Sequence, residues 1–190
     1  MTAPLVRAAA AADFPAIAAI YAHHVQTGLA TFEEVPPSAE EMLRRCHGVR
    51  ARGLPWLVAE LGGRIAGYCY ASPYNARSAY RFTVQDSVYV AEDCIGRGVG
   101  TALLGAVLEL CAAQGYRQMI AVVGDSGNEA SLRLHARLGF RTIGQALRVG
   151  VKFGRWVDIV YLQRPLGEQG TRPPAEDPLG YGPGADQTGP

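Results

Sequence analysis

The stretch from Asp86 to Gly115 restricts the possible folds more than any other part of the chain. Ser87-Val88-Tyr89-Val90 is β-branched and aromatic, and Ile95-Gly96-Arg97-Gly98-Val99-Gly100 follows. Thr101 to Gln114 then carries apolar residues at helical spacing, with Val99, Leu103, Ala106, Leu110 and Ala113 on one stripe. A strand that ends in a glycine-rich turn and feeds a helix presents backbone N–H groups at the positive end of the helix dipole, which stabilises an anion. Met119-Ile120-Ala121-Val122-Val123 comes next, a short apolar run suited to a buried parallel strand. Strand, crossover helix and parallel strand make a βαβ unit, so an α/β fold with a mixed sheet is predicted.

Several anion cradles use glycines in this way. A dinucleotide fold needs G-x-G-x-x-G early in a βαβ unit, whereas these glycines run G-x-G-x-G in mid-chain. A P-loop needs Lys followed by Ser or Thr, and Gly100 is followed by Thr101-Ala102, which excludes it. A plain glycine turn capping a helix stays open on these residues alone.

With 190 residues and 48% hydrophobic content, one core of normal size is expected, in a single domain over residues 1–166. Residues 167–190 shift to Gly, Pro, Asp and Gln and are expected to form a disordered tail. A formal net charge of +1 with mixed signs offers no basic stripe for nucleic acid. Cys46, Cys69, Cys94 and Cys111 are far apart, with no C-x-x-C and no histidine at metal spacing, so neither zinc nor a disulfide framework is suggested. The N-terminal alanine run is too short for a signal peptide and no later run could span a bilayer; a soluble cytoplasmic protein is expected.

In order, Leu5-Val6-Arg7-Ala8 reads as a first strand, and Asp13 is placed to cap a helix with Pro15 in its first turn. Ile17, Ile20, Tyr21 and His24 share a face of that helix, on which His23 and His24 read as partly buried residues and not ligands. The loop from Thr27 to Pro37 holds Phe32 and Glu33, candidates for a substrate pocket beside the plainer reading of a solvated loop. Ser38 and Glu41 form a capping box for a helix to about Arg50, and Trp56–Leu61 and Ile65–Tyr70 form a hairpin across Gly62-Gly63-Arg64. A long strand from Tyr80 to Val90 precedes the glycine turn. After the parallel strand, Asn128, Ser131 and His135 make a polar stripe on a helix, opposite Ala130, Leu134 and Leu138, with Gly139 at its C′ position. A last strand pair turns around Lys152-Phe153-Gly154.

Two of these stretches, taken together, resemble the GNAT superfamily of acetyl-CoA-dependent N-acetyltransferases. Ile95 to Gly100 is similar to its pyrophosphate loop, with Ile95 where Gln or Arg is usual, and Asn128 to Phe140 is similar to its second signature. Ser87 to Val90, Leu134 to Phe140 and Val151 to Asp158 resemble the phosphinothricin N-acetyltransferase group within it. The resemblance covers Val6 to Gly167 and implies a sheet whose central parallel strands splay apart, acetyl-CoA as co-substrate, no metal, a small-molecule amine as substrate, and a homodimer. It places the coenzyme's diphosphate on Ile95, Gly96, Arg97, Gly98, Val99, Gly100 and Thr101, and its arm along the backbone of Val88, Tyr89 and Val90. Asn128 and Ser131 would add coenzyme contacts, and Phe32, Glu33, Arg77 and Tyr80 substrate contacts, Arg77 as a fork for a carboxylate.

His135 is the expected proton-handling group, titrating near neutral pH. The group commonly has Glu where Gln85 stands; an amide does not titrate, and Asp86 points to the other face of the strand. Either His135 acts alone with water, or Gln85 orients that water. The implied substrate is the α-amine of phosphinothricin, methionine sulfone, methionine sulfoximine or a similar amino acid. Gln85 and Ile95 motivate a coenzyme-binding sensor that has lost catalysis as an alternative, and an enzyme for a protein N-terminus or another amine is a further one.

Overall fold

Eleven regular elements follow from these patterns in the computed structural model, which describes residues 3–167 and 170–172. They are β1 (Leu5–Ala8), α1 (Phe14–Thr27), α2 (Ala39–Arg50), β2 (Trp56–Leu61), β3 (Arg64–Pro73), β4 (Thr83–Val90), α3 (Val99–Ala113), β5 (Gln118–Gly124), α4 (Glu129–Arg137), β6 (Arg141–Lys152) and β7 (Arg155–Pro165). The tail expected over residues 167–190 lies, but for residues 167 and 170–172, outside the described residues.

The strands form one mixed sheet in the order β1-β2-β3-β4-β5-β7-β6, in which β4 and β5 are the parallel neighbours. Their register holds for three pairs, Thr83 with Gln118, Val84 with Met119 and Gln85 with Ile120. Past that point β4 stays paired with β3 to Val90, and β5 with β7 to Gly124. The sheet therefore opens in its middle, as the splayed-strand expectation requires.

Alternation along β4 decides what each face of the gap sees. Val84, Asp86, Val88 and Val90 point to the layer of α3 and α4, where the larger core gathers Leu103, Leu104, Val107, Met119 and Leu162. Tyr89 points to the layer of α1 and α2, where Phe14, Ile17, Val25, Trp56 and Tyr68 pack. A fully buried aliphatic side chain contributes about 2 kcal/mol of transfer free energy, so these two layers hold the open sheet together on both sides of the gap.

Four local expectations are corrected. Ser78–Tyr80 form a 3-10 turn, and the strand expected from Tyr80 begins at Thr83. The buried face of α3 is Val99, Leu103, Leu104, Val107, Leu108 and Cys111, whereas Leu110 on the expected stripe is exposed. Asp13 makes no side-chain cap for α1; its carboxylate accepts from both guanidinium nitrogens of Arg7 at 2.6 and 2.8 Å and from the Ala10 amide at 2.7 Å. The Ser38 cap forms, its Oγ accepting from the Glu41 amide at 3.2 Å, but Glu41's own carboxylate is drawn to Arg44 and Arg45 instead of closing the box.

Candidate active site

A cavity of about 880 Å³ occupies the gap, a volume of the size that takes a small-molecule ligand. Its walls are β4 from Gln85 to Val90, β5 from Ala121 to Gly124, the start of α3, and α4; its roof is the loop at residues 28–32. Gly124 lets that loop come close, since a Cβ there would stand 2.7 Å from the Leu29 carbonyl oxygen. The loop is held from the other side by Lys152, buried at the end of β6, whose ammonium donates to the Thr31 carbonyl at 2.7 Å. Burial pushes that amine down from its ordinary range.

At one end of the gap the glycine turn delivers α3 with no side-chain cap, and Gly98 as N-cap residue takes φ of 82°, a left-handed conformation that glycine adopts without strain. Gly96 is also left-handed, at φ of 77°. The first-turn amides of α3, at Val99, Gly100 and Thr101, thus have no side-chain acceptor and lie on the cavity wall, as an anion cradle requires. Gly100 lies against α4: a Cβ there would be 3.1 Å from Leu134 Cδ2.

At the other end stands His135, 2% exposed on α4. Asn128 caps that helix by accepting from the Ser131 amide at 3.2 Å, and Gly139, at φ of 83°, ends it, so that Phe140 folds back edge-on to the imidazole with ring centroids 5.0 Å apart. Nδ1 is 2.8 Å from the Ser131 carbonyl and Nε2 is 3.1 Å from Oδ2 of Asp86. Burial alone would lower the imidazole's pKa; the hydrogen bond and charge of Asp86, with the Ser131 carbonyl, raise it above the ordinary value.

The expected residues are distributed unevenly. Gln85, Val88, Tyr89, Val90, Ile95, Gly96, Gly98, Val99, Gly100, Thr101, Asn128, Ser131, His135 and Phe32 all line the cavity, and Arg97 falls outside its lining. Gln85 enters from the opposite face of β4 to His135, whose carboxylate partner is Asp86, the residue that sequence reasoning set aside. Arg77 and Tyr80 lie outside the lining: Arg77 is exposed, its amide donating to Asn75 Oδ1, and Tyr80 packs against Tyr74. Glu33 points away to Arg45 and to the Tyr21 hydroxyl, at 2.7 and 2.9 Å, and the Arg45 guanidinium holds its carboxyl below the usual range. His24 is partly buried on α1, as expected, and it also lines the cavity and pairs Nε2 with the Val90 carbonyl at 2.9 Å. Its burial pushes the imidazole down, toward the neutral form that donates one N–H to that carbonyl. Arg133 and Arg137 also line the cavity, from α4. Their spacing of four residues would have put both on one helix face with no other sequence signal attached. Among the described residues no cluster of His, Cys, Asp or Glu could hold a metal ion, and no helix is long and apolar enough to cross a membrane.

The profile of the acetyltransferase (GNAT) family matches residues 17–140. This chain belongs to that family. The acetyltransferase is 57% identical over 162 residues to a phosphinothricin N-acetyltransferase of Alcaligenes faecalis, covering 85% of this chain and 82% of the relative. It is 41% identical over 160 residues to an L-methionine sulfoximine/L-methionine sulfone acetyltransferase of Pseudomonas aeruginosa, covering 83% of this chain and 92% of that one. A crystal structure of a GNAT superfamily phosphinothricin acetyltransferase from Sinorhizobium meliloti in complex with AcCoA superposes with a TM-score of 0.88 at 43% identity, covering 92% of this acetyltransferase and 95% of that chain. The mixed sheet and the family expected from the sequence are thereby borne out.

Proposed function

We propose that this acetyltransferase transfers the acetyl group of acetyl-CoA to the α-amine of a small amino acid of the phosphinothricin, methionine sulfone or methionine sulfoximine type. The observation that carries the reading is the gap itself, where the β4–β5 register stops at Gln85 and the uncapped start of α3 stands at the mouth. When bound, acetyl-CoA supplies an activated acyl group. The chain's own part is to hold and orient. The amides of Val99, Gly100 and Thr101, with the turn at Gly96 and Gly98, suit a diphosphate. Strand backbone of β4 beyond Gln85, unpaired on the β5 side, suits an extended arm, although the Val90 carbonyl is already engaged by His24. His135 handles a proton at the closed end, and Phe32 bounds the space left for the amine.

A homodimer is part of this reading. β6 is an edge strand, and Ile143, Leu147, Val149 and Val151 along it are each more than half exposed, with Phe153 and Trp156 at its turn. An apolar edge of this kind favours a second copy of the chain over water. The small amine as partner and the cytoplasm as location complete the proposal. Thiol release from acetyl-CoA is the test, measured with phosphinothricin, methionine sulfone, methionine sulfoximine, a peptide with a free N-terminus and spermidine, alongside sedimentation of the same protein. Turnover of the amino acids above the peptide and spermidine is expected, from a species of twice the chain mass. Turnover of the peptide alone would reverse the substrate reading, and coenzyme binding without any turnover would favour the sensor.

A further inference from the structure

His135 has two ring nitrogens, and the fold gives each of them an acceptor. The Ser131 carbonyl at 2.8 Å can only accept, so Nδ1 carries a hydrogen. Oδ2 of Asp86 lies 3.1 Å from Nε2, close enough for the two to share one hydrogen, and an imidazole is ordinarily more basic than a carboxylate, so Nε2 carries a second one. We propose that Asp86 is a positioning residue that keeps His135 doubly protonated, so that the imidazole serves the reaction as an acid at the departing sulfur and not as a base at the amine. The inference rests on acetyl transfer being the reaction.

Packing leaves the pair no other arrangement. Asp86 and His135 are 5% and 2% exposed, and the edge contact with Phe140 holds the ring in place. The second oxygen of Asp86, Oδ1, is buried with no hydrogen-bond partner among the described residues, so the carboxylate's compensation comes through the imidazolium. The titratable groups facing Asp86 from other elements are thiols, Cys69 on β3 and Cys111 on α3. Burial pushes both up, Cys111 to about 12, so both are neutral and neither competes as a counter-ion. β5 carries no titratable residue; on α4, Glu129 and Arg133 pair with each other at the surface and Arg137 is exposed.

The protons balance as follows. His135 gives one to the sulfur that departs with the C–S electron pair and recovers one from solvent. The proton shed by the amine nitrogen as it bonds the acyl carbon goes to water. Ser131 lines the cavity with its Oγ 3.4 Å from Nδ1, which gives the outgoing proton a relay.

Asp86→Asn removes the charge and keeps the shape. Nitrogen–proton correlation spectra of the imidazoles in the coenzyme-free protein read the outcome directly, with His135 assigned by its loss in His135→Gln. We expect two protonated ring nitrogens on His135 at neutral pH in the unmodified protein, and in Asp86→Asn a lowered titration midpoint. In kinetics, kcat of Asp86→Asn should fall about 100-fold with KM for acetyl-CoA unchanged. A single ring proton on His135 at neutral pH, or an unmoved midpoint in the variant, overturns the assignment. If Asp86→Asn does not fold, the ring-proton count of the unmodified protein decides alone. Absence of acetyl transfer to every amine tested would overturn the functional reading instead, and is separable because the ring-proton count needs no turnover.

Discussion

The Phe32 ring occupies space that belongs, by position, to a side chain on β6. A Cβ at Gly150 would stand 2.1 Å from Phe32 Cε1, well inside contact distance. Phe32 is also on the cavity wall, so its placement depends on a glycine 118 positions away. Gly150→Ala is expected to push the ring aside and raise KM for the amine about 10-fold, with KM for acetyl-CoA unchanged in steady-state assays. At this scale the sequence was informative about His135, whose spacing from Asn128 is local to one helix. It was silent about the partner of His135. Alternation along β4 says that Asp86 and Gln85 face opposite ways, but not which face α4 will cover, because that depends on how two helices pack on the far side of the strand. Arg77 was assigned by its fork-shaped side chain; chemistry alone cannot tell that the 3-10 turn after it stays at the surface.

Elements were legible where their end signals had no competitor. Gly115 and Gly139 end α3 and α4 in left-handed conformations, with Tyr116 and Phe140 donating back to the carbonyls of Cys111 and His135. The start of α1 differs because Arg7, on β1, takes the carboxylate that would have capped the helix. The phase of α3 differs from its expected stripe for another reason. Its sequence is apolar on nearly every side, so a period of 3.6 fits several stripes and only the sheet beneath selects one. For the junction of β1 and α1 a pH dependence follows. The hydrogen bond from Arg7, partly opposed by burial, holds the Asp13 carboxyl below the usual range. A depressed carboxyl contributes stability that is full above its unfolded pKa and is lost as pH falls through the folded value. Because Arg7 is about one-third exposed, solvent screening limits the contribution to about 1 kcal/mol. Urea melts should show Asp13→Asn less stable by that amount at neutral pH, with the difference closing below about pH 4.

For the whole molecule, the order of strands and helices along the chain made a mixed α/β sheet readable before any coordinate. The length of the β4–β5 register was not, since nothing in Thr83 to Val90 says that pairing stops at Gln85. One consequence reaches beyond catalysis. Among the described residues, only three register pairs join the four-strand lobe to the three-strand lobe within the sheet, and helix packing holds the rest of that boundary, so the empty protein has a seam running into its core. Whatever fills that seam doubles as a missing strand. Acetyl-CoA at a hundred times its Kd should add about 2.7 kcal/mol to the unfolding free energy, seen as a melting temperature that climbs with the logarithm of ligand concentration. Amide exchange should slow along both lips of the seam, at residues 86–90 and 121–124. Starved of its co-substrate, the enzyme is the weaker of its own two forms.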